Sequence, residues 1–544
     1  MRRKKILTLA MCITLMASLL AACGGGNNDK GQTAANGEGS SSANSSSTDN
    51  PYKDPMTISV GYWDADVEIA NIEKDKIVQQ ILEKFNITLK PVNTTWDDYA
   101  QKIQMWAASD QLPDIFAIDA VGTQYQRKWV EQGVVKALPD LSPYPNLAKY
   151  FEAPDISGLS VDGKHYTVPR RMFPSVDWSA LDRVVLYRWD LAQKAGITKE
   201  PETWEEFEAM LDAIVKADPE GKNIAGLTST TTKMLGGFFW LYGNPVATSD
   251  GSGSDFKWIK EDDKYIPAIF SKKTLPALQN MKDMYNKGLI DPDIALVKPS
   301  DSYDNFVAGK SAALLSGGGF INYNKEIYEK RWKSAYPDQD ITQSVKVLKP
   351  LVGPDGERSH AIFKTYWSES YFSNKVDDKK MARIMALYDY VLSPEGKDLL
   401  TYGIEGEDYK IEDGKKVMIE TRSLIEKYPA RLFLKELVAY ETSDRYNMDD
   451  PTIANEAIRK EAVDYIDWIL KNTKVPDYNI LLTYISTPTK DKFSVLDHDD
   501  LLKIMLSKES VEDSWNSILK DYKAKGLDKM IEEVNEKAKE EGIE

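Results

Sequence analysis

Cysteine is almost absent: the 544 residues contain two, Cys12 and Cys23. A body with no thiol beyond residue 23 has no disulfide framework and no thiolate site for zinc. Histidine is nearly as scarce, and His165, His360 and His498 stand too far apart in sequence to suggest a metal set. No apolar run of membrane-spanning length follows the first twenty residues. Cations are outnumbered, 69 against 85, for a net charge of −16. Losing the four cations of residues 1–22 would take that to −20. Such a surface argues against nucleic acid and against electrostatic adhesion to anionic lipid or wall polymers.

What is present begins at the N-terminus. Arg2, Arg3, Lys4 and Lys5 precede an apolar segment, Ile6 to Leu20, broken only by Thr8, Thr14 and Ser18. It ends in Leu20-Ala21-Ala22-Cys23, which resembles a bacterial lipobox. Residues 1–22 are thus expected to be a signal peptide, with Cys23 lipidated as the new N-terminus. Two acyl chains, at about 0.8 kcal/mol per buried methylene, hold a protein stably to a membrane. Residues 23–50, rich in Gly, Asn and Ser, cannot bury a core and read as a flexible tether with a typical span of about 30 Å. The rest is expected to work outside the cell, lipid-anchored to the membrane.

From Pro55 the pattern changes. Met56, Ile58, Val60 and Tyr62 alternate as in a strand, and Ile77, Ile81 and Phe85 share one helical face. A strand follows at Ile87–Val92, then a helix carrying Tyr99, Ile103 and Trp106, then the wholly apolar strand Ile115–Ile118. This βαβαβ order predicts an α/β lobe with ligands at the carboxyl ends of its strands, where Trp63, Asp64 and Asp119 fall. Thr203 and Glu206 form a capping box ahead of Phe207, Met210, Leu211 and Ile214. Ala312–Leu315 reads as another apolar strand leading into a triple-glycine loop, and helical patterns fill much of 425–540.

Several stretches in fixed order carry a resemblance: Gln111-Leu-Pro-Asp-Ile-Phe116, Gly163-Lys-His-Tyr-Thr-Val-Pro169, Pro201-Glu-Thr-Trp-Glu-Glu-Phe207, Gly288-Leu-Ile-Asp-Pro-Asp293, Phe306-Val-Ala-Gly-Lys-Ser-Ala-Ala-Leu314, Ser393-Pro-Glu-Gly396 and Tyr402-Gly-Ile-Glu-Gly-Glu-Asp-Tyr409. Together they resemble the extracellular solute-binding proteins of ABC importers, in particular the large Gram-positive lipoproteins associated with oligosaccharides, aldouronates included. The resemblance implies an α/β, two-lobe periplasmic-binding-protein-like fold with an interlobe cleft and hinge-crossing strands. Lobe 1 is expected to take 55–168 plus 370–425, and lobe 2 to take 169–369 plus 426–544. Crossings are expected near Tyr166–Arg170, near Thr365–Phe372 and somewhere in 405–430. The implied partners are an oligosaccharide and an ABC importer permease, with the chain acting as a monomer and without catalysis. Relatives that bind acidic sugars can carry a calcium loop after the capped helix. Here Asp218–Gly226 is short and contains a Lys, too few oxygens for calcium, so no cofactor or metal is expected.

A sugar needs flat aromatic surface for its C–H faces and fixed donors and acceptors for its hydroxyls. Trp63, Asp64, Asp119, Trp240, Phe320 and Trp367 are the candidates, each weighed against plain core packing or helix capping. Arg170 and Arg171 follow the first crossing, where a guanidinium fork would suit a uronate carboxylate; their structural alternative is an internal salt bridge. Asp64/Asp66 and the acids near Asp177 and Asp182 could imitate a glycosidase pair, but among 85 acidic residues solvated surface is the stronger reading. Three other readings stay open at this point: a peptide receptor, a secreted carbohydrate-active enzyme, and an adhesin or sensor subunit.

Overall fold

The structure is a computed structural model. It describes residues 52–95, 98–230, 232–246, 256–362, 364–419, 424–439, 455–495 and 497–543. Cys23 and the expected signal and tether lie outside them.

Two sheets organise the described chain. The first has β1 (Met56–Gly61), β2 (Ile87–Pro91), β3 (Ile115–Ile118), β4 (Thr167–Arg171) and β9 (Tyr366–Phe372), in the order β2-β1-β3-β9-β4. Strands β1, β2 and β3 run parallel, while β9 runs antiparallel to both β3 and β4. The second sheet has β5 (Arg183–Arg188), β6 (Ala225–Ser229), β7 (Ser311–Gly317) and β8 (Val345–Val347), in the order β8-β5-β7-β6. Here β6 and β7 are parallel and β5 is antiparallel to β7 and β8.

Local sequence explains the elements. In the helix Lys76–Phe85, Ile77, Val78, Ile81, Leu82 and Phe85 form one buried stripe, Asp75 accepts from Val78 N at 3.0 Å, and Asn86 closes it in the left-handed conformation. The helix Trp204–Ala217 starts on the expected capping box, Thr203 with Glu206. Each sheet has its own core. Ile58, Val60, Ile81, Ile115, Phe372 and Met385 belong to the first; Tyr187, Phe207, Leu211, Leu227, Ala313 and Met281 belong to the second. A further cluster packs Trp258 and Tyr265 of a short hairpin against Phe493, Tyr522 and Met530.

The expected lobe boundaries move at three places. Pro169–Arg171 and Tyr366–Glu369 are strand residues of the first sheet, not of the second lobe. Residues 424–438 also join the first core, through Leu424, Tyr428, Phe433, Leu434 and Leu437. There Ala430 N donates to Asp75 at 3.0 Å. The chain reaches the second group of cores again only with the helix Glu456–Asn472. The chain is thus still in the first core at Val438, and the third passage does not fall within 405–430. Helical periodicity says which face of this segment is apolar but not which core receives it, so the sequence alone places the boundary at 425.

Candidate functional site

The sheet topology gathers one edge. Since β4 runs with β1 and β3 and against β9, the carboxyl ends of β1, β3 and β4 and the amino end of β9 coincide, the place where such folds bind ligands. Tyr62, Trp63 and Asp64 leave β1 there, Asp119 leaves β3, Arg170 and Arg171 close β4, and Lys364 to Glu369 enter β9.

Three aromatic rings meet at this edge. Trp63 lies 5.2 Å from Trp367 and 5.0 Å from Tyr99 between ring centroids, tilted by 54° and 58°. Trp63 itself is 8% exposed, so Trp367 and Tyr99, both half-buried, offer more of the accessible surface. A backbone irregularity sets Trp367. Between Tyr366 and Glu369 strand β9 carries one extra residue against β4, and Ser368 takes a φ of 56° while fully buried. Such a bulge re-aims side chains, and a non-glycine residue in that region is strained by roughly 1–3 kcal/mol.

Arg170 holds the bulge from behind. It is buried, with its guanidinium 4.8 Å from the Trp63 ring and 4.9 Å from the Tyr62 ring. Its Nε donates to Glu436 O at 2.6 Å, its Nη1 donates to Ser368 Oγ at 2.9 Å, and Nη2 lies 3.6 Å from the Glu436 carboxylate. Glu436 belongs to the segment that packs in the first core, so the pair lies within one lobe. Arg171 uses its Nε and Nη2 on Phe173 O (3.0 Å) and Pro174 O (2.8 Å), and its backbone N donates to Tyr150 Oη. Arg170 is thus engaged by its own lobe, and the Arg171 side chain by the chain that leaves β4.

Beside the rings lies a charged triplet. Lys364 Nζ donates to Asp119 at 2.6 Å and lies 3.8 Å from Glu369. Glu369 is fully buried, and its Oε2 accepts from Ala120 N (3.0 Å) and Val121 N (3.3 Å). Burial pushes its carboxyl up to about 8, the charge of Asp119 pushing the same way and Lys364 opposing. Asp119 and Lys364 remain partly exposed, at 33% and 20%, as an acceptor and donor for hydroxyls must.

On the next turn, Asp64 opens the short helix Ala65–Glu68 with a φ of 55°. Glu68 is exposed. The protein crowded around it raises its pKa to about 7; Glu436 and Asp64 add to the rise, while Arg170 and Lys325 oppose it. Asp66 accepts from Asn93 at 2.8 Å and Asp182 pairs with Arg183.

The corresponding edge of the second sheet carries the ends of β6 and β7 and the start of β5, where Arg183 pairs with Gly317. Trp240 lines a recess there with Trp204, Tyr465, Arg183 and His360. The buried His360 hydrogen-bonds Thr473 through Nδ1 at 2.8 Å, and burial lowers its pKa to about 4, so it is neutral at physiological pH. His360 Nε2 and Trp204 Nε1 have no hydrogen-bond partner among the described residues. Phe320, in contrast, is 1% exposed and packs against Tyr323 and Tyr465. It is a core residue. Its preceding glycines answer a packing need: Gly319 has a φ of 40°, and a Cβ there would lie 1.7 Å from Leu181 O.

The sequence pointed to Trp63, Trp367, Asp119 and Trp240 from strand ends and aromatic type, and the structure brings the first three together. Tyr99, Lys364, Glu369 and His360 carry no motif that marks them as site residues in the sequence. In the sequence Tyr99 reads as a helix-face residue, and an acid set inside the aromatic strand Tyr366-Trp-Ser-Glu-Ser-Tyr-Phe372 is the signal that points to Glu369. In the loop after the capped helix, Asp218 accepts from Lys222 N (2.9 Å) and Asn223 N (3.1 Å).

Fold and site together define a two-lobed binding protein, with aromatic and polar groups at the strand ends that face ligands in this architecture. Residues 70–398 match the model of the bacterial extracellular solute-binding proteins, and the chain belongs to that family. It is 24% identical to lipoprotein LipO of Bacillus subtilis over 348 residues, 62% of this chain and 65% of LipO. It is 22% identical to the polygalacturonan/rhamnogalacturonan-binding protein YtcQ of the same organism over 392 residues, 70% of this chain and 72% of YtcQ. Among solved structures, the S. pneumoniae substrate-binding protein FusA in complex with kestose has a TM-score of 0.65 at 16% identity, covering 89% of this chain and 99% of FusA. The alginate-binding protein AlgQ2 has a TM-score of 0.62 at 16% identity, covering 89% and 98%. These structures share the fold.

Proposed function

We propose that this chain is an extracellular receptor that captures an oligosaccharide by closing its two lobes and delivers it to an ABC importer. Tethering to the outer face of the membrane through a lipidated Cys23 would complete that role, with the permease as protein partner. The observation that carries the reading is the aromatic surface of Trp367 and Tyr99, backed by Trp63 and flanked by Asp119 and Lys364 at the strand ends. Aromatic faces take the C–H side of a pyranose, and a part-exposed acid–base pair takes its hydroxyls. The names of YtcQ, which binds a polysaccharide, and of the FusA–kestose complex agree with a saccharide. The carboxylates of the site are tied to backbone N–H groups and to Lys364 rather than set as a nucleophile and acid, which fits binding without turnover.

A thermal-shift screen of the purified protein against oligosaccharides and peptides tests this. An oligosaccharide at a hundred times its Kd should stabilise the fold by about 2.7 kcal/mol and be recovered unchanged. Stabilisation by peptides alone, or hydrolysis of the sugar, would overturn the reading.

A further inference from the structure

Two acceptors stand close together at the second-lobe recess. The Thr473 hydroxyl donates to Ile469 O at 2.8 Å, so its oxygen is left to accept from His360 Nδ1, 2.8 Å away. That fixes the tautomer. The proton of the uncharged imidazole sits on Nδ1, and Nε2 is an acceptor. His360 is 4% exposed, and its Nε2 has no hydrogen-bond partner among the described residues. Asp177 Oδ1 lies 4.0 Å from it, but a carboxylate is an acceptor too and cannot satisfy it. A buried nitrogen in this position costs free energy until a donor reaches it.

The recess offers the other things a sugar needs. Trp204 and Trp240 line it with aromatic surface, and the indole N–H of Trp204 is a donor without a partner among the described residues. Asp177 is 31% exposed. A group that satisfies both its carboxylate and His360 Nε2 must bring two donors side by side, as the vicinal hydroxyls of a saccharide do. The recess is also close to the aromatic surface of the first lobe. His360 and Ala361 line it, and Lys364, four residues after His360, donates to Asp119. Four residues of chain span at most about 14 Å, within the reach of a short oligosaccharide.

We infer that the second-lobe recess is a saccharide subsite, in which His360 Nε2 and Asp177 accept the two O–H groups of a vicinal diol and Trp240 carries a face of the same sugar unit. This rests on the reading of the chain as an oligosaccharide receptor. It deepens that reading by giving the second lobe contacts of its own, so that one ligand reaches from Trp367 to His360. His360 is then a specificity-determining residue, because a unit that lacks the diol leaves Nε2 unpaired.

Calorimetry and nitrogen NMR of the full chain test this, with cellotetraose, maltotetraose, galactotetraose, nystose and tetragalacturonate as probes. For the best-bound probe, Asp177→Ala should weaken binding about tenfold, the usual cost of losing one partner of a desolvated hydrogen bond. The NMR arm needs no variant, since the chain has three histidines to resolve. His360 should be protonated on Nδ1, and its Nε2 signal should move as the probe saturates the site. An Nε2 signal that the bound sugar leaves in place, or a Kd unchanged in Asp177→Ala, overturns the subsite and leaves the receptor reading standing. Failure of every probe to bind overturns the receptor reading and the subsite with it.

Discussion

Arg170 changes meaning between sequence and structure. Next to Arg171 in an acidic chain it looks like a ligand's counter-ion. In the fold it sits beneath the site, stacked on Trp63 and bonded to Ser368 in the bulge that carries Trp367. It is a positioning residue. Arg170→Gln leaves Glu436 without its charged partner and should destabilise the protein by about 3 kcal/mol. It should also alter tryptophan fluorescence and weaken neutral and acidic sugars by the same factor. A loss confined to acidic sugars would instead place Arg170 on the ligand. Glu369 makes a second residue-scale prediction. Burial raises its folded pKa from 4.5 to about 8, so the folded chain holds this proton more tightly than the unfolded chain does. Its contribution to stability is complete below about pH 4.5 and is lost as pH rises through 8. Chemical denaturation from pH 5 to 8.5 should show stability falling across that window, and Glu369→Gln should flatten the fall. An unchanged slope in the variant would assign the pH dependence to other groups.

At the scale of elements, the legible parts were those that local chemistry fixes. The alternation of Met56–Tyr62, the apolar stripe of Ile77–Phe85 and the Thr203–Glu206 box each specify an element without reference to distant chain. Trp63 and Asp119 could be placed because strand order implies which ends meet. What could not be read depends on non-local packing: the bulge at Ser368, the buried Glu369, and the return of 424–438 to the first core. Phe320, open in the sequence between cleft and core, falls to the core. The glycines before it serve packing, since Gly319 lets the loop pass close to Leu181 O. Gly319→Ala must therefore move backbone and accept a left-handed φ, at a cost of about 2–4 kcal/mol. A melting temperature within a degree of wild type would show that the close approach is not needed.

For the whole molecule, the joints between lobes are narrow. Chain passes from β4 through Met172 and Phe173, whose N–H groups both donate to Thr365 O, the residue that leads into β9. Tyr484 adds a tie, its hydroxyl 3.0 Å from Tyr366 Oη and donating to Asp155 O at 3.2 Å. Arg127 and Asp491 form a further pair, 2.5 Å apart, between the first lobe and the C-terminal segment. Few residues thus need to change for hinge closure, and a ligand that touches both lobes can shift the balance between open and closed forms only by binding the closed one better. Attachment stands apart from this machinery: no helix among the described residues is long and apolar enough to cross a membrane. Cys23→Ser should release the protein to the medium or leave the signal uncleaved, as fractionation and mass of the N-terminus would show. Continued membrane association after cleavage would contradict a lipid anchor. The central claim, capture of an oligosaccharide by closure, is tested most directly by small-angle X-ray scattering of the protein with and without its best-bound sugar. The account predicts a smaller radius of gyration at saturation, with the same sugar failing to compact a Trp367→Ala variant. A scattering curve unchanged by a saturating, tightly bound sugar would contradict it.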